Sequence, residues 1–333
     1  MKLLIIGGSR FVGRHMVAAA HARGDSVTLF NRGQSAPAPQ AVEFRQGDRR
    51  GDLSPLAHGE WDAVIDTCGY LPGEVARMAQ MLKGRVGCYL FISSLSVYAS
   101  NATPNDEDSA LGAIDDPDTT TVDARTYGPL KALCEAEVQR AFGGAALLLR
   151  PGLVVGPHDP TQRFTYWPAR LARAAEGETV LAPGTPDAPL QFIDARDLAA
   201  FALHGLEAGL LGVFNVVSES GRWTFGDVLR ACAAAAGVVV RFAWRDIADL
   251  QAQGIEPWSD MPLAVPATPD YQAFMRTDAR RAAAAGLKTR PLAHTVADTL
   301  AWYRSLAPEQ QVFDKAGLSS EREAAALAAL GMA

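Results

Sequence analysis

The chain has 333 residues, with 31 Lys+Arg against 37 Asp+Glu and a net charge of −6. Apolar residues make up 48% and charged residues 20%, a balance that excludes low-complexity disorder and leaves room for two lobes or one enlarged domain. The acidic balance argues against nucleic acid as a main partner, because phosphate binding calls for a basic face.

Short apolar runs predict strands at 3–6, 26–30, 42–45, 62–66, 87–92 and 145–149. Helical patterns fall between them at 11–22, 74–82 and 127–141. This alternation predicts an α/β chain, a doubly wound parallel sheet with helices on both faces. Strands that are apolar throughout suit burial on both sides. After Pro151 the texture changes: Pro157, Pro160, Pro168, Pro183, Pro186 and Pro189 punctuate 150–190, which reads as turns and short pieces. A helix is expected over 194–207 with Asp194 as N-cap, and a strand over 213–217. Thr224, three residues before Asp227, opens a capped helix over 224–236. Residues 258–269 read as loop and 292–306 as helix. An Ala-rich helical tail follows from Ser319, suited to covering a surface or making an oligomer contact such as a homodimer. The expected division is a Rossmann lobe over 1–150 and a mixed segment over 151–306. That segment returns to the sheet at about 190–217 and otherwise forms a smaller substrate lobe; a helical tail follows over 307–333.

The string IIGGSRFVG ends the first strand and opens the first helix. Gly7 and Gly13 frame it and Gly8 stands beside the first. Glycines there allow a tight turn and close approach to a pyrophosphate, and the helix N-terminus offers free N–H groups. Ser9, Arg10, Phe11 and Val12 complete the expected cradle. Arg10 stands where a middle glycine would fit; it conflicts with positive φ, but its guanidinium suits a phosphate. The second strand ends in Phe30-Asn31-Arg32. An acidic residue here would hold the 2′-OH of NAD, whereas arginine accommodates a 2′-phosphate, so NADP is expected ahead of NAD. The alternative is that both arginines are merely solvated.

Tyr127 and Lys131 form a YxxxK spacing at the start of a helix, where positions four apart share a face. A nearby ammonium lowers the pKa of a phenol, and the lysine can also bind ribose hydroxyls. Pro129 is tolerated in a first turn, so Tyr127 is expected at the helix N-terminus. FISSLSVY, ending an apolar strand, brings hydroxyls to the crevice. Ser94 is the candidate that would orient a substrate oxygen, with Ser93 and Ser96 competing.

Together GGSRFVG, the GDRRGDL stretch, VIDTCGY, FISSLSVY, YGPLK, RPGLVVGP and QFIDARDLA resemble the short-chain dehydrogenase/reductase superfamily, in its extended or atypical branch. The likeness is to bacterial proteins described as epimerase/dehydratase-like or 2′-hydroxyisoflavone reductase-like. It implies Tyr127 as general acid/base, Lys131 as its partner and Ser94 as the orienting hydroxyl. It also implies Asp48 near the adenine, Thr67, Cys68 and Gly69 against the cofactor, and Pro151 and Gly152 near the nicotinamide. The implied activity is NAD(P)-dependent oxidoreduction of a small carbonyl or alcohol. The alternatives are a nucleotide-sugar epimerase with tightly held NAD, and a non-catalytic NADP sensor or RNA-binding relative. Leu95 and Ser96 stand where sugar-nucleotide dehydratases carry acidic residues, which disfavours elimination. Asp66 replaces a more usual His.

Tyr70, Arg163, Tyr166 and Trp167 are the expected substrate-facing residues. Their basic-aromatic character suits an aromatic substrate or a nucleotide-sugar, or else packing between lobes. His158 and Asp159, between two prolines, read as a turn, and no metal is expected. Cys68, Cys88, Cys134 and Cys232 make no CxxC pair and read as reduced thiols of a cytoplasmic protein. The apolar run 231–240 is far below the roughly 20 residues of a membrane span, and no signal peptide is apparent.

Overall fold

The computed structural model describes residues 1–34 and 42–332. In chain order the first elements are β1 (Lys2–Ile6), α1 (Phe11–Ala22), β2 (Ser26–Asn31), β3 (Glu43–Gln46), β4 (Trp61–Asp66) and α2 (Pro72–Leu82). They continue with β5 (Val86–Ile92), α3 (Tyr127–Phe142), β6 (Ala146–Pro151), β7 (Leu153–Val155), α4 (Tyr166–Ala172) and β8 (Thr179–Pro183). Next come β9 (Pro189–Leu190), β10 (Phe192–Asp194), α5 (Ala195–Glu207), β11 (Gly212–Val216), β12 (Trp223–Thr224) and α6 (Phe225–Ala236). The last are β13 (Arg241–Arg245), α7 (Ile247–Ala252), α8 (Arg280–Ala284), α9 (Leu292–Arg304) and α10 (Ser320–Ala329).

Seven strands form one parallel sheet in the order β11-β6-β5-β4-β1-β2-β3. The pleat sends alternate side chains of β1 to opposite faces. Leu3 and Ile5 meet Met16, Val17 and Ala20 of α1 and Leu198 and Phe201 of α5. Leu4 and Ile6 meet Val75, Met78 and Leu82 of α2 and Val138 of α3. Both faces are covered, which is why these strands are apolar without alternation. Each such Leu or Ile contributes roughly 1.5–3 kcal/mol on leaving water.

The smaller lobe is held by three two-stranded pairs, β7 with β10, β9 with β12 and β8 with β13. Its core gathers Phe164, Trp167 and Leu171 with Val180, Phe225, Leu229 and Leu327. Asp194 caps α5 by accepting from the Arg196 amide at 2.9 Å. Thr224 and Asp227 form the reciprocal box at the start of α6, at 3.0 and 3.1 Å; a cap of this kind adds about 1 kcal/mol. Helix α10 is fastened into the same core: Arg170 of α4 donates to both oxygens of Glu323, at 2.6 and 3.1 Å. Among the described residues, no helix is long and apolar enough to cross a membrane.

Candidate active site

The chain runs outward through β1, β2 and β3, then returns to lay β4 on the other side of β1. At such a reversal the crevice outside the carboxyl ends of the strands takes the ligand. A cleft of about 530 Å³ opens there. Gly7, Gly8, Ser9, Arg10, Phe11, Val12, Gly13, Asn31, Arg32, Asp48, Thr67 and Cys68 all line it, with Tyr70 and Pro160. Gly69, Pro151 and Gly152 lie outside that lining.

Close packing explains the glycines. A Cβ on Gly7 would lie 2.4 Å from Thr67 Oγ1, and one on Gly13 would lie 2.5 Å from the Gly8 nitrogen. Gly7 and Gly8 also take φ of 99° and 77°, which side chains resist. The steric conflict expected at Arg10 is absent. Arg10 is extended at φ −127° as the N-cap of α1, and the positive φ falls on the glycines and on Phe11. Free amides of the helix start, tight glycines and arginines around a cleft of this size fit a dinucleotide. At the end of β2, the Asn31 amide nitrogen donates to Gly7 O at 2.7 Å and its oxygen accepts from Gly33 N at 2.8 Å.

Helix α3 begins at Tyr127. Asp123 accepts from the Arg125 and Thr126 amides at 2.8 and 3.0 Å, closing the preceding turn. Pro129 falls in the first turn, where its missing N–H costs nothing. Gly128 lets the helix press on the FISSLSVY loop; a Cβ there would lie 2.0 Å from Ser96 O. Gly128→Ala is therefore expected to displace Tyr127 from Ser94. Crystallography of the variant checks this, and an unmoved Tyr127 hydroxyl contradicts it.

Ser94 Oγ accepts from Ser96 N at 3.1 Å, leaving its own proton free to donate. Burial raises the Tyr127 phenol above its ordinary value, and a hydrogen bond with Ser94 works the other way. The phenol is therefore protonated at neutral pH, contrary to the lowering expected from Lys131. The reason is where the ammonium goes: Lys131 Nζ donates to Gly69 O at 2.9 Å and Ile92 O at 2.6 Å, with only 3% of the residue exposed. Burial lowers this lysine to about 8. Both groups face Tyr70, whose ring centroid lies 6.4 Å from that of Tyr127 and 5.7 Å from Lys131 Nζ. Gly152 presses on the same loop, since a Cβ there would lie 3.2 Å from Leu95 Cδ1.

Two expected substrate residues are corrected. Tyr166 and Trp167 are 1% and 0% exposed and belong to the smaller lobe's core. Trp167 Nε1 donates to Pro262 O at 2.8 Å and Tyr166 OH to Leu318 O at 3.4 Å. This lobe lacks a large sheet, so its bulkiest aromatics supply the core. Arg163 is half-buried and stacks on Trp258, 4.8 Å from the ring centroid.

The sequence reading missed a buried ion pair beside the cleft. Asp66, wholly buried at the end of β4, accepts from Arg49 at 2.8 and 3.0 Å, from Tyr89 OH at 2.8 Å and from Cys68 N at 3.2 Å. Burial alone would push its carboxyl up, but the Arg49 charge and these hydrogen bonds hold it below the usual range. The available signal was a carboxylate closing an apolar strand, which must meet a partner when buried. A second pair, Glu135 with Arg150 at 2.7 and 2.9 Å, ties α3 to β6 one turn beyond Lys131.

Residues 73–216 match the family model described as NAD dependent epimerase/dehydratase family. The chain is 28% identical to a chloroplast stem-loop binding protein of Arabidopsis thaliana, over 71% of this chain and 63% of that protein, less than two thirds of its length. It is also 28% identical to a dTDP-4-dehydro-6-deoxy-D-allose reductase of Streptomyces sp, over 64% of this chain and 75% of that one. Among solved structures, UDP-glucuronic acid 4-epimerase of Bacillus cereus in complex with NAD superposes with TM-score 0.64, at 16% identity, covering 91% of this chain and 98% of that one. A human epimerase family protein with NADPH superposes with TM-score 0.61, at 21% identity, covering 92% and 100%. The parallel sheet, its crevice and the matched segment converge: over residues 73–216 the chain is similar to the NAD dependent epimerase/dehydratase family.

Proposed function

We propose that the protein is an NADP(H)-preferring oxidoreductase that moves hydride between the nicotinamide and a small carbonyl or alcohol. Asn31 carries the cofactor half of this reading. In an NAD site an acidic side chain here receives the ribose 2′-OH. The Asn31 amide is instead spent on Gly7 O and Gly33 N, while Arg32 and Arg10 line the same cleft and suit a phosphate. A nicotinamide dinucleotide supplies the hydride chemistry when bound. Gly7 to Gly13 would receive its pyrophosphate, with Asp48, Thr67 and Cys68 along the adenine half and Gly69, Pro151 and Gly152 toward the nicotinamide.

The catalytic half rests on Ser94, Tyr127 and Lys131. The Ser94 hydroxyl, hydrogen-bonded to Tyr127, would turn its proton to a substrate oxygen. Tyr127, protonated at neutral pH, is the acid that gives that oxygen its proton in the reductive direction. The Lys131 ammonium, charged below about pH 8, is available to ribose hydroxyls. A Streptomyces relative named as a reductase fits this reading.

Arg32→Asp is expected to weaken NADPH roughly 10–100-fold, the scale of a lost charged hydrogen bond, and NADH far less. Fluorescence titration of both nucleotides measures this, and equal losses remove the phosphate role. Purified protein that retains NAD(H) and gives no net turnover would favour the epimerase reading. Salt-sensitive RNA retention without NADP(H) binding would favour the RNA-binding one.

A further inference from the structure

We infer that Arg163, backed by Trp258, is the anion anchor of the substrate site, and that the substrate therefore carries an oxyanion, a carboxylate or a phosphate ester. The inference rests on the function proposed above.

Arg163 sits in a segment where several polar side chains are already engaged, although the buried Thr165 hydroxyl has no hydrogen-bond partner. Asp159 accepts from the Thr161 amide and hydroxyl at 2.8 and 3.0 Å. Gln162 donates to Val312 O at 2.8 Å and accepts from Asp314 and Lys315 amides at 3.1 and 2.9 Å. Lys315 Nζ donates to Pro160 O at 2.9 Å. Arg163 is unengaged as well. Among the described residues its guanidinium forms no ion pair; its neighbours are the Trp258 ring at 4.8 Å and, through space, the Asp159 carboxylate.

The backbone around this pair is strained. His158, Gln162, Trp258 and Leu263 take φ of 70°, 65°, 70° and 72°, a region that costs non-glycine residues about 1–3 kcal/mol and gathers at functional sites. Two of these residues flank or follow the segment's turn and one is the ring beneath the guanidinium. Strain maintained by so many hydrogen bonds holds the arginine in one place.

The location suits a substrate. Pro160, three residues before Arg163, lines the nucleotide cleft. Trp258 packs edge-on against Phe274 at 5.6 Å, and the adjacent Ala273 amide donates to Asn101 O at 2.8 Å, on the loop that follows Ser94. The segment that carries Arg163 thus lines the nucleotide cleft through Pro160, and the chain packed on Trp258 bonds to the loop that follows Ser94. A guanidinium stacked on an indole keeps its in-plane N–H donors free, and their geometric complement is a pair of oxyanion oxygens. Asp159 does not quench it, being turned to Thr161.

The test uses the NADPH-loaded protein, titrated calorimetrically with benzoate and with phenyl phosphate. At least one probe is expected to bind, and Arg163→Gln to weaken it tenfold or more with NADPH affinity unchanged; Arg163→Lys should keep part of the binding. Benzoate alone marks a carboxylate substrate, phenyl phosphate alone a phosphate ester, and both an anchor for either. Should the glutamine variant fail to fold, Arg163→Lys decides by the size of its loss. Binding of neither probe, or equal binding by every variant, overturns the inference alone. Unmodified protein that does not bind NADPH overturns the cofactor reading and this inference with it.

Discussion

Tyr127→Phe is expected to lower turnover by a hundredfold or more while leaving NADPH affinity within about threefold, because lost acid/base help is worth roughly 10²–10⁴ in rate. The phenol is raised by burial, so it enters the cycle carrying its proton, and phenylalanine keeps the ring against Tyr70 while removing the hydroxyl that carries that proton. The measurement is NADPH oxidation over a panel of small aldehydes and ketones, with nucleotide binding followed separately. Ser94→Ala should cost less, since Tyr127 can still hold the substrate oxygen. A Tyr127→Phe enzyme with undiminished turnover removes this residue from the chemistry.

The largest stability loss is expected from Asp66→Asn. The change is nearly isosteric, so no cavity confuses the result. It leaves the Arg49 guanidinium, 8% exposed, with only the more distant Glu74 carboxylate, at 3.5 Å, as a charge partner. Breaking a buried pair from one side costs about 3–5 kcal/mol, and the melting temperature should fall by roughly ten degrees. The pair also holds the turn after β4, because Asp66 accepts from Cys68 N at 3.2 Å. Nucleotide binding should therefore weaken in the folded variant. Replacing both members with apolar residues, Arg49→Met with Asp66→Leu, should recover much of the stability, as apolar substitutes for buried pairs often do. Thermal and urea unfolding of the three variants decide this. A loss under 1 kcal/mol in Asp66→Asn would mean the pair is incidental.

Local rules were sufficient for the sheet and its first helix. The expected and observed bounds of α1 coincide, because an apolar strand, a glycine turn and a helical stripe follow one another within one βα unit. The caps at Asp194 and Thr224 were legible for the same reason: donor and acceptor lie within three residues. What escaped depends on distant partners. Among the described residues strand β8 pairs only with β13, about sixty residues on, and neither run alone stands out among prolines. Trp167 looked like a ligand surface because the sequence does not say which way a short helix turns; α4 turns it inward. The YxxxK spacing specified a shared face for Tyr127 and Lys131, but not that the flexible lysine would hand its protons to two carbonyls. Asp66 escaped because a lone acid in sequence resembles solvated surface, and only the register of β4 drives it into the core beneath Tyr89.

On the proposed NADP(H) preference, the double engagement of Asn31 makes that preference hard to reverse in one step. A single Asn31→Asp exchange would add the acid that NAD favours, yet turn a carboxylate oxygen toward the Gly7 carbonyl where an N–H now donates. The repulsion would open the phosphate cradle that either nucleotide needs. Variants selected for NAD would have to remove the positive charge at Arg32 first and rebuild the Gly7 contact afterwards, so the route between the two specificities is ordered.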